Sequence, residues 1–356
     1  MPPPSGTPAA RRKTSTEKAM FDKQTYIARR KALHAKLSGG LVLLPGNDES
    51  PANYPGNTFR FRQDSTFLYF FGLNRPGCSG LLDLDSGEDV LFGDDPTLED
   101  IIWTGPQPSL AELAGEVGVE KTQSAAHLQK RIEAAVAKGR RILFLPPYRG
   151  ETRSTMSRLL GIRADRLASY TSAELARAVV ALREVKEPAE IEEIERACET
   201  AGKMHRLAMR ICRPGITERE IAGAIEGVAL QHGAGVSFPA IVTQHGETLH
   251  NHDYDHVLQS GRLMLIDAGA ETAMNYCSDF TRTFPVNGRF TGRQKDVYDI
   301  VLAANDRTFE LAGPDTFYYR MHNEASMVIA EGLKSLGLMR GNMQDAVGVG
   351  AQALFM

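Results

Sequence analysis

Short apolar runs alternate with segments of helical spacing through the first half of the chain. The runs are bounded by Gly, Pro or Asp, which is typical of strands in an α/β domain. We predict strands at Leu41–Leu44, Phe67–Phe71, Gly80–Leu82, Val90–Phe92 and Ile142–Leu145, and helices at Leu110–Glu116 and Ala125–Lys138.

The second half opens with a long helical stretch, from about Ala173 to Cys212, that a proline divides near Lys186. Pro188 can begin a helix but cannot continue one, so a new helix should start there. Thr217 followed by Glu220 is a capping box, which predicts the start of the next helix. Further strands are predicted at Ala240–Thr243, Arg262–Ala270 and Cys277–Val286, and further helices at Gln294–Ala312 and His322–Leu336.

These elements indicate an α/β (α+β) fold in two domains, and the length of 356 residues is enough for both to bury a core. We expect a disordered tail over residues 1–18, a first domain over 19–180 and a second over 181–356. The tail is rich in Pro, Ser, Thr and Ala, and no apolar core of a signal peptide follows it.

Composition excludes some classes of function. The net charge of −3 and pI near 6.3 favour neither a nucleic-acid nor a membrane partner. The four cysteines are irregularly spaced, which suits reduced, mostly buried thiols better than a disulfide frame. We therefore expect a cytoplasmic protein.

Two aspartates carry the clearest chemical signal. If the strands that contain Asp267 and Asp279 form an antiparallel hairpin centred near Ala273, paired residue numbers sum to 546 and the two aspartates lie directly opposite. Cross-strand Cβ atoms are roughly 4.5–5.5 Å apart. Two carboxylates that close repel unless a cation lies between them, which predicts a site for two metals about 3.5–4 Å apart. Oxygen ligands suit manganese-like ions or zinc.

A plainer interpretation stays open at this point, because an Asp at the end of a strand is often a turn former or a helix cap. Four histidines also crowd one stretch, His245, His250, His252 and His256, and a His-rich loop can bind metal by itself. For no pair of these histidines does the sequence predict a helix or strand that would hold the two side chains together.

Several segments together resemble aminopeptidase P, of the creatinase, prolidase and methionine aminopeptidase group with the pita-bread fold. They are Leu249-His250, Gly261–Gly269, Ser278–Gly288, Tyr54–Ser65 and Phe67–Leu73. The resemblance extends over nearly the whole chain beyond the tail. It implies a creatinase-type N-terminal domain followed by a pita-bread catalytic domain.

The resemblance also implies an activity and roles for particular residues. Enzymes of this family release the N-terminal residue from peptides with proline at the second position, using two divalent metals, manganese first, with cobalt or zinc as alternatives. By position, Asp267 and Asp279 match metal ligands, and His250 matches a catalytic residue that hydrogen-bonds the substrate. Trp103, in Ile101–Gly105, resembles a segment that lines the substrate entrance of an adjoining subunit, so we expect a homo-oligomer at full length. A tryptophan in the core is the alternative.

Three expected ligands have no counterpart: a histidine in an H-G-x-x-H run and two later glutamates, one of them in a Glu-Pro-Gly turn. The only histidine after Asp279 is His322, with Glu324 and Glu331 on the same helix. We therefore expect a C-terminally truncated pita-bread domain that is inactive alone.

Three alternatives share the fold. An Xaa-Pro dipeptidase (prolidase) uses the same ligands and differs in how its pocket is closed. A creatinase acts without metal and lacks the aspartate pair, so Asp267 and Asp279 argue against it. A non-catalytic pita-bread binding module is the rival from another class, and such proteins usually lose these aspartates.

Overall fold

The computed structural model describes residues 21–355, so the predicted tail at 1–18 lies outside the described residues. The chain divides into two compact units between Glu192 and Glu193. Each unit combines helices with a small β-sheet, which confirms the predicted mixed fold class.

The first unit contains α1 (Lys23–Lys36), β1 (Leu41–Pro45), β2 (Pro51–Tyr54), β3 (Asn57–Thr58), α2 (Ser65–Phe71), β4 (Ser79–Asp83), β5 (Glu88–Phe92), α3 (Leu98–Thr104), α4 (Leu110–Glu116), β6 (Lys121–Gln123), α5 (Ala125–Ala137), β7 (Ile142–Leu143), α6 (Gly150–Leu160) and α7 (Ala173–Arg183). Its five-stranded sheet has the order β6-β5-β4-β1-β7, and β4 runs antiparallel to both of its neighbours. One face of this sheet packs against α5 and α6 through a cluster of buried apolar side chains that includes Leu41, Leu43, Val90, Phe92, Leu128, Ile132 and Met156.

The strand predicted at Phe67–Phe71 is wrong, because this segment is the helix α2. The Asp64 side chain caps it by accepting hydrogen bonds from the backbone N–H groups of Thr66 and Phe67, and Gly72 ends it in a left-handed conformation. All five residues from Phe67 to Phe71 are buried. A short helix that is buried on every side shows no polar face, so its apolar run looks like a strand.

Helix α1, which the sequence did not reveal, is tied to the rest of the first unit by a buried arginine. Arg30 is 1% exposed. It donates hydrogen bonds to the carbonyl oxygens of Phe70, Val117 and Gly118 at 2.8–2.9 Å and to Asp89 at 2.7 Å. Burial lowers the pKa of Arg30, and the hydrogen bond to Asp89 opposes that shift.

The second unit is built from α8 (Pro188–Ile211), which begins just before the division, α9 (Glu218–His232), β8 (Gly235–Val236), β9 (Ile241–Thr243), β10 (Leu263–Ala268), β11 (Ala270–Glu271), β12 (Phe280–Pro285), α10 (Gly292–Leu311), α11 (Tyr318–Ser335) and α12 (Met343–Gly348). The predicted helix start at Pro188 and the capping box of Thr217 and Glu220 are both confirmed.

A three-stranded antiparallel sheet, in the order β12-β10-β9, forms the centre of the second unit. Strand β10 alternates along its length: Met264, Ile266 and Ala268 are fully buried, whereas its other three residues are only partly buried. The buried face packs against α8 and α9 through side chains that include Met204, Ala208, Ile221 and Ile225. Asp267 therefore points to the open face of the sheet.

The cysteines and the hydropathy of the helices can also be compared with the sequence. Of the four cysteines only Cys78 is buried, so the prediction of mostly buried thiols is wrong. Among residues 21–355, no helix is both long and apolar enough to cross a membrane.

Candidate metal centre

Asp267 lies near the end of β10, in the middle strand of the sheet. Its backbone pairs with Ile241 of β9 on one side and with Thr281 of β12 on the other. Its Oδ1 atom is buried and has no hydrogen-bond partner among the described residues. Burying a carboxylate oxygen without a donor is costly, so this atom indicates a place for a cationic ligand.

The predicted pairing of Asp267 with Asp279 is wrong by two residues. In the hairpin the paired residue numbers sum to 548, as for Ala268 with Phe280 and for the bridge of Glu271 with Cys277. Asp279 therefore lies two residues along the chain from Thr281, the residue opposite Asp267. The two carboxylates are diagonal neighbours on one face, where Cα atoms are about 7–8 Å apart and side chains still reach each other.

The turn of the hairpin explains this shift. The backbone N–H of Asn275 donates to the carbonyl of Thr272, and the N–H of Thr272 donates to the carbonyl of Tyr276. Asn275 adopts a left-handed conformation with φ of 63°, which asparagine tolerates better than most residues. The turn is thus centred on Met274 rather than Ala273, and register follows turn geometry.

Gly269 lets the backbone next to the two aspartates approach closely. A Cβ atom at this position would lie 1.7 Å from the carbonyl oxygen of Ser278 and 2.4 Å from Oγ of Ser237. The Ser237 hydroxyl donates to that carbonyl at 2.8 Å, and the Ser237 N–H donates to the carbonyl of Gly269 at 3.1 Å. Any larger residue would push the Asp279 segment away from Asp267.

Asp279 directly precedes β12, and most of its surface is exposed to solvent while the rest is covered. Partial burial raises the pKa of Asp279, and the negative charge of Asp267 and a hydrogen bond between the two side chains raise it further. Two carboxylates this close repel each other, and a cation between them would remove that repulsion.

Both aspartates line one open cavity of about 300 Å³. The other lining residues are Phe238, Pro239, Ile241, His250 and His252. The structure therefore brings His250 to the aspartates, while the sequence did not single out His252 for the site. His252 follows His250 by two residues. In an extended segment this spacing places both side chains on the same side, so it could have indicated that His252 also belongs to the site.

The two carboxylates are ligands of the kind that a divalent cation prefers, but they occupy only part of its coordination shell. Two carboxylates offer hard oxygen ligands, and the unpartnered Oδ1 of Asp267 is one of them. Within residues 21–355, no group of three or more His, Cys, Asp and Glu side chains is arranged to hold a metal ion. His322, Glu324 and Glu331 of α11 add no such group.

A buried histidine supports the strand beneath the site. His205 of α8 is 5% exposed and its Nε2 is 3.1 Å from the carbonyl oxygen of Ala268. Burial lowers the pKa of His205, so the neutral ring donates to that carbonyl. It holds the end of β10 in place next to Asp267, a role that no pattern in the sequence indicated.

Trp103 lies in the first unit, on the short helix α3, in which no residue is buried. Its side chain is 80% exposed, together with Leu98 at 75% and Ile102 at 73%. The alternative of a core tryptophan is therefore wrong for the described chain.

Comparison with known proteins identifies the family. The model for aminopeptidase P, N-terminal domain, matches residues 26–144, and the model for metallopeptidase family M24 matches residues 192–351. The two matches cover successive parts of the chain in the order that the resemblance implied. The chain belongs to the aminopeptidase P family.

Individual relatives agree with this assignment. The chain is 29% identical over 349 residues to the Xaa-Pro aminopeptidase of Escherichia coli, covering 94% of this chain and 78% of that protein. It is 28% identical to a probable Xaa-Pro aminopeptidase of Sordaria macrospora, covering 89% of this chain but only 54% of the relative. Human Xaa-Pro dipeptidase is 26% identical, with 94% and 69% coverage.

Solved structures show the same two-part fold. The Pseudomonas aeruginosa aminopeptidase PepP matches with a TM-score of 0.82 at 26% identity, over 94% of this chain and 77% of that one. A zinc-substituted E. coli aminopeptidase P in complex with product matches with a TM-score of 0.81 at 27% identity, over 93% and 78%. The chain is thus a member of a metallopeptidase family that uses divalent metals.

Proposed function

We propose that this chain carries part of the metal site of an Xaa-Pro aminopeptidase, with Asp267 and Asp279 as ligands to two divalent metals. Manganese is the first choice, with cobalt or zinc as alternatives. The observation that carries the proposal is the carboxylate pair itself, in which Oδ1 of Asp267 is buried without a donor and the pKa of Asp279 is raised. A metal in such a site supplies activated water and polarises the scissile carbonyl.

His250 is the proposed catalytic residue of this chain. It is exposed on the loop between β9 and β10 and lines the cavity that contains both aspartates. An imidazole there can donate a hydrogen bond to the substrate carbonyl as negative charge develops on its oxygen. This donor acts only if the loop holds the ring at the carboxylate pair.

Trp103 is proposed to bind substrate from a second copy of the chain. The proposal is supported by the exposure of Trp103 and its apolar neighbours on helix α3. Exposed aromatic side chains of this kind favour a protein interface. We accordingly propose that the protein forms a homo-oligomer, and separately that it is cytoplasmic.

The relatives suggest two candidate substrate classes, longer peptides with proline at the second position and Xaa-Pro dipeptides. The proposed substrate is a peptide with proline at the second position, as the name of the E. coli relative indicates. The match to human Xaa-Pro dipeptidase favours, as the second candidate, cleavage of dipeptides only. Hydrolysis of an Xaa-Pro-Xaa tripeptide as well as an Xaa-Pro dipeptide supports the first, and hydrolysis of the dipeptide alone supports the second.

The 356-residue chain itself is proposed to be inactive. Two carboxylates cannot complete the shells of two metals, and residues 21–355 provide no third ligand group. The test compares this chain with a version extended by the C-terminal segment of the E. coli relative. We expect manganese-dependent hydrolysis of Xaa-Pro peptides only in the extended protein, and loss of it in Asp267→Ala or Asp279→Ala. Turnover by the unextended chain, or turnover in either variant, contradicts the proposal.

A further inference from the structure

The amino end of α9 contains a carboxylate that is shielded from solvent. Glu218 is 0% exposed. Its Oε1 accepts hydrogen bonds from the Thr243 hydroxyl at 3.1 Å and from the Gln244 backbone N–H at 2.8 Å. Its Oε2 lies 3.0 Å from Nδ1 of His256, which must be the donor because a carboxylate only accepts. Burial of a carboxylate is tolerated when its oxygens are bonded in this way.

The Thr243 hydroxyl uses every hydrogen-bonding position that it has. A threonine hydroxyl offers one hydrogen and two lone pairs. The hydrogen goes to Glu218, and the oxygen accepts from the His245 backbone N–H at 2.9 Å and from Nδ2 of Asn251 at 3.2 Å. Because Glu218 takes the hydrogen, the lone pairs are directed at the loop.

Asn251 connects the hydrogen bonds of Glu218 and Thr243 to the candidate metal centre. It lies between His250 and His252, which both line the cavity with the aspartates. Its Oδ1 accepts from the backbone N–H of Asp253 at 3.0 Å, so both ends of its amide are held.

The loop depends on such side chains because its own backbone forms few hydrogen bonds. Residues 244–256 contain no helix or strand. The far end is fixed by the backbone, since the N–H of Glu218 donates to the carbonyl of His256 and that of Leu258 to the carbonyl of Ile216. The part that carries His250 is fixed from the Thr243 side. Segments with few backbone bonds open most easily, so each side-chain bond there counts for more.

We propose that Glu218, Thr243 and Asn251 form a positioning relay that sets the place of His250 and His252 over the aspartate pair. The three are positioning residues, because they act through the histidines and line no part of the cavity themselves. The inference rests on the proposed function only for the role of His250. The relay itself is a property of the metal-free chain.

Hydrogen exchange of the purified 356-residue chain tests the relay without any catalytic assay. Thr243→Val keeps the shape of the side chain but removes the hydroxyl, which leaves the His245 N–H and the Asn251 amide without their acceptor. We expect amides in residues 244–256 to exchange about tenfold faster or more. Thr243→Ser keeps the hydroxyl and should restore exchange to the level of the unaltered chain.

A matched control separates the relay from a general loss of packing. Thr200 of α8 is also buried, at 7% exposure, and within residues 21–355 its hydroxyl bonds only to the carbonyl of Arg196, at 3.1 Å. Thr200→Val should leave exchange in residues 244–256 unchanged. If Thr243→Val does not fold, Asn251→Ala breaks the last bond of the relay from the solvent side and should give the same local increase.

The result that overturns the proposal is exchange in residues 244–256 that stays the same in Thr243→Val and Asn251→Ala. An equal increase in Thr200→Val would also overturn it. In the extended protein, Thr243→Val should lower kcat with little change in KM, and Thr243→Ser should recover it. If the extended protein has no activity while the exchange pattern holds, the proposed function fails and the relay stands.

Discussion

At the scale of single residues, Asp279 is costly to the metal-free fold. Its pKa is raised above the ordinary value of 3.8 by partial burial and by Asp267. A raised folded-state pKa means that the folded chain binds the proton more tightly than the unfolded chain. The contribution of this group to stability is therefore present at low pH, and it is lost as the pH rises through the folded-state pKa.

Asp279→Asn removes this effect. Without metal, at neutral pH, the variant should unfold at a slightly higher temperature than the unaltered chain, and the difference should vanish below the ordinary Asp pKa. Thermal unfolding with a chelator present measures it. Asp306→Asn, on the exposed surface of α10, is the control and should show no such difference. A variant less stable than the parent at neutral pH would contradict the interpretation.

At the scale of elements, Arg30 fastens α1 to the first unit. Arg30→Met removes the donor from the carbonyl oxygens of Phe70, Val117 and Gly118, the first two of them buried, and from Asp89. Removing one partner of a buried charged network costs about 3–5 kcal/mol. Urea unfolding should show this loss for the first unit.

Arg141→Met is the matched control for that experiment. Arg141 is 56% exposed and pairs with Glu174 at the surface. Exposed pairs contribute about 0–1 kcal/mol. Equal losses in Arg30→Met and Arg141→Met would show that the buried contacts of Arg30 do not stabilise the helix.

The same scale shows how much of the fold the sequence could reveal. The helix starts at Pro188 and Thr217 were predicted correctly because one or two residues close in sequence decide them. The segment Phe67–Phe71 was missed because burial on all sides removes periodicity. The hairpin register was missed by two because it depends on the backbone conformation of one turn residue, Asn275.

The candidate site divides in the same way. Its aspartates and His250 were visible as residue types in a recognisable pattern. Glu218 was not singled out as a site residue, because sequence shows it only as an ordinary acid in the first turn of a helix. Its value comes from burial and from three contacts with residues 25 to 38 positions away.

At the scale of the whole molecule, the second unit exposes many large apolar side chains. Phe309, Tyr318, Val349 and Leu354 are each 75–84% exposed. Surfaces of this kind favour association. We expect the isolated chain to self-associate with rising concentration in sedimentation velocity, and Phe309→Ser to reduce this. A chain that stays monomeric at high concentration would contradict the expectation.

Calorimetric titration of the purified chain with Mn²⁺ tests whether Asp267 and Asp279 bind metal. We expect heat of binding for the unaltered chain and for Asp306→Asn. We expect the affinity for Mn²⁺ to fall by at least about 100-fold in Asp267→Asn and in Asp279→Asn, because losing an outer-shell partner alone can lower metal affinity by up to that much. Unchanged Mn²⁺ binding in both variants, or none in the unaltered chain, would contradict this expectation.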